Sequence, residues 1–185
     1  MDDKNIKAFK IMPISERHLC DINKPNQPFL VFGRLVPVFE NGKWSWTEEL
    51  FEKPYEKKYP DEELDYSEYI GNPDKIVFLA YMDNQCVGQI RLRRNWNNYC
   101  YVEDIAVARQ CRRMGLGREL INTAIQWAKN GGMQGLMLET QDTNLAACRF
   151  YHRCGFVLGA VDTMLYGNLP NRDEKHLLWY KRFSS

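Results

Sequence analysis

The sequence predicts a single mixed α/β domain whose central sheet is partly antiparallel. The chain has 185 residues, about the size of one domain, and 44% of them are apolar, which is enough for a buried core. After Pro73, short β-rich runs alternate with two helical patterns, and a turn signal joins the first two runs. This order of elements is typical of a mixed sheet covered by helices.

Residues 20–75 form the least regular part of the chain. They mix prolines and aromatic residues with an acidic cluster at 61–69. This composition predicts loops and short helices that lie on the core, and it does not indicate a separate domain. We therefore treat residues 1–185 as one domain, with this irregular region on one side of a more regular core.

A hairpin and a third strand are predicted next. Residues 75–82 and 85–94 are β-rich and flank Asp83-Asn84, a common turn pair, and residues 98–107 form another β-rich run. A long amphipathic helix is then predicted over 115–130, where two glycines stop it. Its apolar face consists of Leu116, Leu120, Ala124, Trp127 and Ala128.

The last part of the chain predicts one more helix between strands. A short buried strand is predicted at 135–140, a helix at 143–154, and two final strands at 156–166 and 175–183. Thr143 is a plausible N-cap of the helix, and Gly155 is a plausible residue just after its end.

Charge and composition argue against several classes of partner. The formal net charge is +1, so no overall field favours nucleic acid, although residues 91–96 are locally basic. The first residues lack the apolar segment of a signal peptide, and no apolar run is long enough to span a bilayer. We therefore expect a cytoplasmic protein with no nucleic-acid or membrane partner.

The metal-binding residue types are scattered along the chain. The six cysteines include no C-x-x-C pair, and His18, His152 and His176 lie far apart in the sequence. We therefore expect no metal site and no disulfide framework. The cysteines are expected to be reduced, mostly buried thiols, and Cys111 is not expected to be a nucleophile because no histidine lies near it in sequence.

The stretch "RRMGLGREL" at 112–120 raises the question of an anion site. It begins the long predicted helix, where backbone N–H groups lack partners and the helix dipole favours an anion. Glycines permit a close approach of the backbone, and Arg112, Arg113 and Arg118 add positive charge. A merely solvated basic turn is the alternative from this stretch alone, since a lone G-x-G pair is a weak signal.

Two motifs together give a more specific result. Arg112-x-x-Gly115-x-Gly117 follows "EDIAV" and precedes an amphipathic helix, and "NLAACRFYHRCGF" follows at 144–156. This pair resembles the cofactor motifs of the GNAT N-acetyltransferase superfamily. The resemblance implies a mixed, mostly antiparallel sheet flanked by helices and splayed at an acetyl-CoA site, with the cofactor core at about 76–160. Members are often dimers, so a homodimer remains an open alternative.

A closer resemblance extends over most of the chain. The segments "DINKPNQPF", "WTEELFEKPY", "VGQIRLRRNWNNYCYVEDIAV" and "VDTMLYGN" are similar to those of streptothricin acetyltransferases, from about residue 18 to 183. This resemblance implies acetylation of a primary amine on the β-lysyl group of streptothricin, which would inactivate the antibiotic. The alternatives are another small polyamine-like or peptide amine as substrate, or an acetyl-CoA sensor without catalysis.

The resemblance also implies which residues hold acetyl-CoA. Pantetheine would run along the strand at 105–107, and backbone amides at 112–118 would hold the pyrophosphate. Asn144 would contact the cofactor, and Tyr151 would protonate the departing thiolate, although a core aromatic is its plainer interpretation. The full predicted set is Ile105, Ala106, Val107, Arg112, Arg113, Met114, Gly115, Leu116, Gly117, Arg118, Asn144 and Tyr151.

The amine side leaves several candidates open. Glu103 or Glu139 would take the proton from the amine, directly or through water, and both have the alternative role of caps or arginine partners. Strict alternation would place Glu103 on one face with Ile105 and Val107. The candidates for the acceptor pocket are Asp104, Asp162, Tyr166, the acidic segment 61–69, and the aromatic residues Trp44, Trp46, Tyr55, Tyr59 and Tyr66.

Overall fold

The computed structural model describes residues 9–184 and is built on one seven-stranded sheet with a separate two-stranded hairpin. The main sheet has the order β1-β4-β5-β6-β7-β9-β8, and β6 and β7 are its parallel pair. The strands are β1 (Lys10–Pro13), β2 (Phe29–Glu40), β3 (Lys43–Lys57), β4 (Lys75–Met82), β5 (Gln85–Arg94), β6 (Cys100–Val107), β7 (Gly135–Gln141), β8 (Val157–Asp162) and β9 (His176–Arg182). The predicted mixed and mostly antiparallel α/β sheet is confirmed.

Two α-helices are present among the described residues, α1 (Leu116–Asn130) and α2 (Leu145–Arg153). Helix α1 packs on β5, β6 and β7, and α2 packs on β2. The predicted apolar face of α1 is buried except at Trp127, which is half-buried at the edge of the core. Neither helix has the length and apolar character that crossing a bilayer would require.

The prediction of loops and short helices over residues 20–75 is wrong for most of that region. Strands β2 and β3 pair over nearly their whole length and are joined by a tight turn at Asn41-Gly42, where both residues have positive φ. Pro37 and Pro54 lie inside these strands, and a two-stranded ribbon tolerates proline because each strand is an edge. Buried Leu35 joins the ribbon to the main core.

Two smaller expectations need correction. Asn144, and not Thr143, is the N-cap of α2, since its Oδ1 accepts a hydrogen bond from the backbone N–H of Ala147 at 3.2 Å. The strand predicted at 156–166 ends at Asp162, and a turn-rich loop follows it. Gly155 has φ +83°, as expected for the residue after the end of α2. The question of a signal peptide concerns residues 1–8, which lie outside the described residues.

Candidate active site

A gap opens between the two parallel strands of the main sheet. Strands β6 and β7 pair only from Cys100–Val102 to Leu136–Leu138, and beyond these residues they separate. A cavity of about 340 Å³ lies at the gap. It brings together seven of the predicted site residues: Glu103, Asp104, Ile105, Glu139, Asn144, Tyr151 and Tyr166.

Other predicted acceptor residues lie elsewhere. Asp162 is exposed at the end of β8, where its carboxylate accepts hydrogen bonds from the backbone N–H groups of Met164 and Leu165 at 2.7 and 3.0 Å. It caps a turn and does not line the cavity. Of the five aromatic residues proposed as walls of the acceptor pocket, Tyr59 alone lines the cavity.

A β-bulge changes the direction of the side chains at Glu103. Leu92 of β5 is opposite Val102, but the next residue, Arg91, is opposite Asp104, so Glu103 is an extra residue in β6. Glu103 and Asp104 therefore both face the polar side of the sheet, while Ile105 packs toward the core. The expectation that Glu103 shares a face with Ile105 and Val107 is wrong because alternation fails at a bulge.

Both oxygens of the Glu103 carboxylate are engaged. Oε1 accepts from Arg93 Nε at 3.1 Å, and Oε2 accepts from the Tyr69 hydroxyl at 2.9 Å. Arg91 Nε lies 3.4 Å from Oε2, and the Arg91 side chain also pairs with Glu62 at 2.7 Å. Glu103 thus holds a network of arginines beside the cavity.

Asp104 lies in a less charged environment. Its Oδ2 accepts from Gln89 Nε2 at 2.6 Å, and the Gln89 amide is fixed in turn by Asn23, through its backbone N–H and its side-chain oxygen. Burial raises the pKa of Asp104, and the hydrogen bond from Gln89 and the charge of Arg91 offset that effect only in part. A buried carboxylate facing a cavity is suited to binding a cation.

Glu139 is held at the opposite wall of the gap. Its Oε2 lies 2.6 Å from Nε2 of His176, and its Oε1 accepts from the Tyr166 hydroxyl at 3.3 Å. Burial first, and the Glu139 charge next, raise the pKa of Tyr166, so its hydroxyl stays protonated and donates. Glu139 lies on β7, one residue beyond the segment Leu136–Leu138 that pairs with β6.

Tyr151 is buried on α2 and lines the cavity. No described residue accepts or donates a hydrogen bond to its hydroxyl, and its ring packs against Phe150 and Phe156. Burial raises the pKa of Tyr151, with smaller contributions from Tyr59 and Asp104, so the hydroxyl holds its proton at neutral pH. Tyr151 is therefore a proton donor without a fixed partner.

The predicted cofactor contact of Asn144 is limited by other hydrogen bonds. While its Oδ1 caps α2, its Nδ2 donates to the Tyr59 hydroxyl at 3.3 Å. Burial raises the pKa of Tyr59 to about 12. Both polar atoms of the Asn144 amide are thus in use, although the residue lines the cavity.

The loop at 112–118 has the geometry of an anion site. Arg113 and Gly115 have φ of +66° and +93°, and the backbone N–H groups from Arg113 to Gly117 donate to no acceptor within the described residues. The first intrahelical donor is Arg118, which bonds to the carbonyl of Gly115 at 2.9 Å. Such a series of unpartnered N–H groups at a helix N-terminus favours an anion.

The two glycines of this loop have different functions. Glycine is required at position 115 because the backbone there is left-handed, a conformation that residues with a side chain rarely adopt. Gly117 has an ordinary backbone, but a Cβ there would lie 3.1 Å from the ring of Phe150. Gly117 therefore leaves room for the ring of Phe150, the residue before Tyr151 on α2.

The three predicted arginines are not equivalent. Arg112 Nε donates to the carbonyl of Val107 at 3.0 Å, and its other nitrogens donate to the carbonyls of Pro28 and Gln27 at 3.0 and 3.1 Å. Burial lowers the pKa of Arg112, and Arg109 adds to the effect. The Arg112 guanidinium thus fixes the base of the loop through backbone carbonyls. Arg112 therefore has a structural role here in place of the anion contact that was expected of its charge.

Beyond the bulge, the edge of β6 on the side of the gap has free N–H groups, although Arg112 already donates to the carbonyl of Val107. Ala108 N–H donates to Val87 O, which makes alternate residues of β6 face β5. By this register the N–H groups of Ile105 and Val107 face the gap, while Ala106 faces β5. An extended chain entering the gap would find a strand edge there.

Comparison with known proteins identifies the arrangement. Residues 43–156 match the acetyltransferase (GNAT) family. The chain belongs to the GNAT acetyltransferase family. It is therefore an acetyltransferase, and the family resemblance predicted from its two motifs is confirmed.

Relatives within the GNAT family cover almost the whole chain. Streptothricin acetyltransferase A of Bacillus subtilis is 51% identical over 173 residues, which are 94% of this chain and 99% of that protein. A streptothricin acetyltransferase of Escherichia coli is 35% identical over 69% of this chain and 70% of its own length. A Bacillus anthracis protein assigned as a streptothricin acetyltransferase, solved with acetyl coenzyme A, has a TM-score of 0.87 at 39% identity, covering 97% of this chain and all of that one.

The acidic segment of this GNAT protein is largely occupied by its own contacts. Asp61 binds Lys58 and Asn26, Asp65 caps a 3₁₀ turn, and Glu68 pairs with Lys75. Glu62 lines the cavity, where it pairs with Arg91. Most carboxylates of this segment are therefore already paired with other residues of the chain. Few of them are left to attract a polycation, as the sequence analysis had suggested for the whole segment.

Sequence reasoning missed three residues that support the site: Asn23, Gln89 and His176. Tyr59 was predicted as a wall of the acceptor pocket, but without a specific contact. The contacts of these four residues span 15 to 85 positions in the sequence, so no local pattern identifies them. The Asn41-Gly42 pair was the available signal for the ribbon that carries Tyr59 toward the cavity.

Proposed function

We propose that this protein transfers the acetyl group of acetyl-CoA to a primary amine on the β-lysyl group of streptothricin and thereby inactivates the antibiotic. The observation that carries the proposal is the cavity between β6 and β7, which is lined by Asp104, Glu139 and Tyr151. The N-terminus of α1, which follows β6 in the chain, adds a series of free N–H groups. Similarity to streptothricin acetyltransferases over both the cofactor and the acceptor side supports the choice of substrate.

The residues present fit acetyl-CoA. The free N–H groups of 113–117 would hold its diphosphate, with Arg113 and Arg118 adding charge. The free edge of β6 at Ile105 and Val107 would hold the pantetheine chain, and the Ile105 N–H would polarise the acetyl carbonyl. Acetyl-CoA supplies an acyl group activated as a thioester.

Glu139 is the proposed base for the amine. An ammonium has no lone pair, so it must lose a proton before it can attack a carbonyl. The Glu139 carboxylate lines the cavity and accepts a hydrogen bond from the Tyr166 hydroxyl, so it can take that proton directly or through a water. Glu103 is the weaker candidate because Arg93 and Tyr69 already occupy its oxygens.

Tyr151 is the proposed acid. Its raised pKa keeps the proton on the hydroxyl, and that hydroxyl has no competing partner among the described residues. It can therefore give its proton to the sulfur that leaves. Asp104 and Tyr166 are proposed to contact the acceptor, and a buried carboxylate at 104 suits a substrate with several ammonium groups.

Turnover with defined acceptors tests the proposal. Thiol release from acetyl-CoA would be measured with streptothricin, spermidine and a lysine-containing peptide, and mass spectrometry would locate the acetyl group. We expect streptothricin to give the highest kcat/KM and one acetyl group on its β-lysyl part. A higher kcat/KM for the peptide or for spermidine would reject the antibiotic as the substrate, and binding of acetyl-CoA without turnover on any amine would favour a sensor.

A further inference from the structure

His176 is a buried histidine directly behind a cavity residue. It is the first residue of β9 and pairs with Gln141 on one side and Asp162 on the other. Its side chain is 9% exposed, and its Nε2 lies 2.6 Å from Oε2 of Glu139. The imidazole does not line the cavity itself, so it can act there only through Glu139.

The other ring nitrogen of His176 determines which proton state fits. Nδ1 is buried and has no hydrogen-bond partner within the described residues. A charged imidazole would leave a buried Nδ1–H donor without an acceptor, which is costly. A proton on Nδ1 alone would also set the Nε2 lone pair against a carboxylate oxygen. A neutral ring with its proton on Nε2 avoids both problems and donates to Glu139.

Glu139 needs such an anchor because its side chain is 41% exposed. Its second contact is the longer hydrogen bond from Tyr166, at 3.3 Å, and Tyr166 lies in the loop between β8 and β9. The Tyr166 ring packs edge-on against the His176 ring, with centroids 6.0 Å apart. Tyr101 of β6 also lies near Glu139: burial first, and the Glu139 charge next, raise the pKa of its hydroxyl. His176 is thus the strand-borne group with the short hydrogen bond to the carboxylate.

We propose that His176 is a positioning residue of the acetyltransferase, a neutral imidazole whose Nε2–H fixes the Glu139 carboxylate in the orientation that receives the amine proton. The proposal rests on the proposed role of Glu139 in the transfer. It assigns His176 no contact with either substrate. The kinetic effect of replacing His176 should therefore depend on the presence of Glu139. A histidine with only a structural role would not show this dependence.

A double-mutant cycle tests this dependence. We expect Glu139→Gln to lower kcat/KM for streptothricin by about 10²-fold or more, the usual contribution of a general base. His176→Leu should lower it about 10-fold, with the KM for acetyl-CoA unchanged, by analogy with the roughly 10- to 100-fold cost of removing a group that orients a metal ligand. In the double variant, kcat/KM should fall no further than about twofold below that of Glu139→Gln. Multiplicative effects would overturn the proposal.

Two further variants separate positioning from folding. His176→Gln keeps an N–H that can reach Glu139, and it should recover most of the activity that His176→Leu loses. His152→Gln, on the exposed side of α2, is the matched control and should have no kinetic effect. Equal losses in His176→Gln and His176→Leu, in protein of unchanged melting temperature, would reject the hydrogen bond as the cause.

Nitrogen-15 NMR of the imidazoles tests the proton state without any substrate. The chain has three histidines, so His176→Gln assigns the His176 signals by their loss. We expect the Nε2–H form at neutral pH in the free enzyme. An Nδ1–H form or an imidazolium would overturn the proposal. Because this readout needs no turnover, a failure of streptothricin as substrate would leave it intact and would count against the proposed function alone.

Discussion

The two halves of the β6–β7 pair are made from the same strands and have opposite properties. In the first half, Cys100 to Val102 pair with Leu136 to Leu138, and these side chains are largely buried in the core. In the second half the ladder stops, and Glu103, Asp104 and Glu139 face a cavity. The border is one residue wide and coincides with the bulge at Glu103.

This contrast shows how one pair of strands serves both stability and chemistry. Apolar residues in the paired half close the space between the strands and gain burial energy. Carboxylates line the separated half and are satisfied individually by side chains such as Gln89, Arg93 and His176. A change in either half should therefore affect only one of the two properties.

Tyr151→Phe should show the largest effect, on the separated half. The ring contacts with Phe150 and Phe156 remain, so the melting temperature should stay the same. Loss of the proton donor should lower kcat by about 10²- to 10⁴-fold. Steady-state kinetics with streptothricin checks this, and an undiminished kcat would show that the sulfur leaves without Tyr151.

Leu138→Ala should act on the paired half with the reverse result. Leu138 is fully buried where the ladder ends, so its truncation should cost about 2–5 kcal/mol of unfolding free energy. Below the transition temperature kcat/KM should change little. Urea unfolding and kinetics on one preparation measure both, and a large kinetic loss without a stability loss would show that the halves are coupled.

Asp104→Asn should have an intermediate and pH-dependent effect. Burial raises the folded-state pKa of Asp104 above its ordinary value of 3.8, so the folded protein binds the proton more tightly than the unfolded chain. Stability from this group is therefore present at low pH and is lost as the pH rises through the raised pKa. The variant should be more stable than the parent at pH 7, by about 0.5–2 kcal/mol.

Melting curves across the acid range check the sign of this prediction. The advantage of Asp104→Asn should shrink as the pH falls toward 3.8. Asp173→Asn changes an exposed carboxylate and serves as the control. A variant that is less stable than the parent at pH 7 would mean that the charge of Asp104 stabilises the fold through Arg91.

Asp162→Asn should have the smallest effect. Asparagine keeps the Oδ1 that accepts the two backbone N–H groups, and the residue lies outside the cavity. We expect kcat/KM to stay within about twofold of the parent, as for most surface substitutions. A larger rise in the KM for streptothricin would return Asp162 to the acceptor site, where the sequence had suggested it.

Local patterns predicted the core of the fold, and long-range contacts escaped them. The hairpin at 75–94 and both helices follow from periodicity and from the turn residues that bound them. The ribbon at 29–57 was missed because its prolines suggested loops, although the Asn41-Gly42 pair indicated a hairpin.

The candidate site was predictable where a motif marks it. Tyr151 and Glu139 belong to recognisable stretches and line the cavity, and the loop at 112–118, also in a recognisable stretch, has the free N–H groups of an anion site. The bulge at Glu103 and the partners Gln89 and His176 depend on strand register and on neighbours distant in sequence, which no single stretch encodes. Side-chain direction at a bulge cannot be obtained from alternation.

The hydrogen bonds of Arg112 restrict how this enzyme can be recombined with its relatives. The arginine at the base of the cofactor loop donates to the carbonyls of Gln27 and Pro28, and the Gln27 side chain accepts from the Arg109 N–H at 2.8 Å. A chimaera that exchanges the acceptor side must therefore carry residues 27–28 in a matching conformation. A chimaera in which the exchanged segment begins at Phe29 keeps these bonds. The ribbon formed by β2 and β3 can therefore be exchanged without disturbing the base of the cofactor loop.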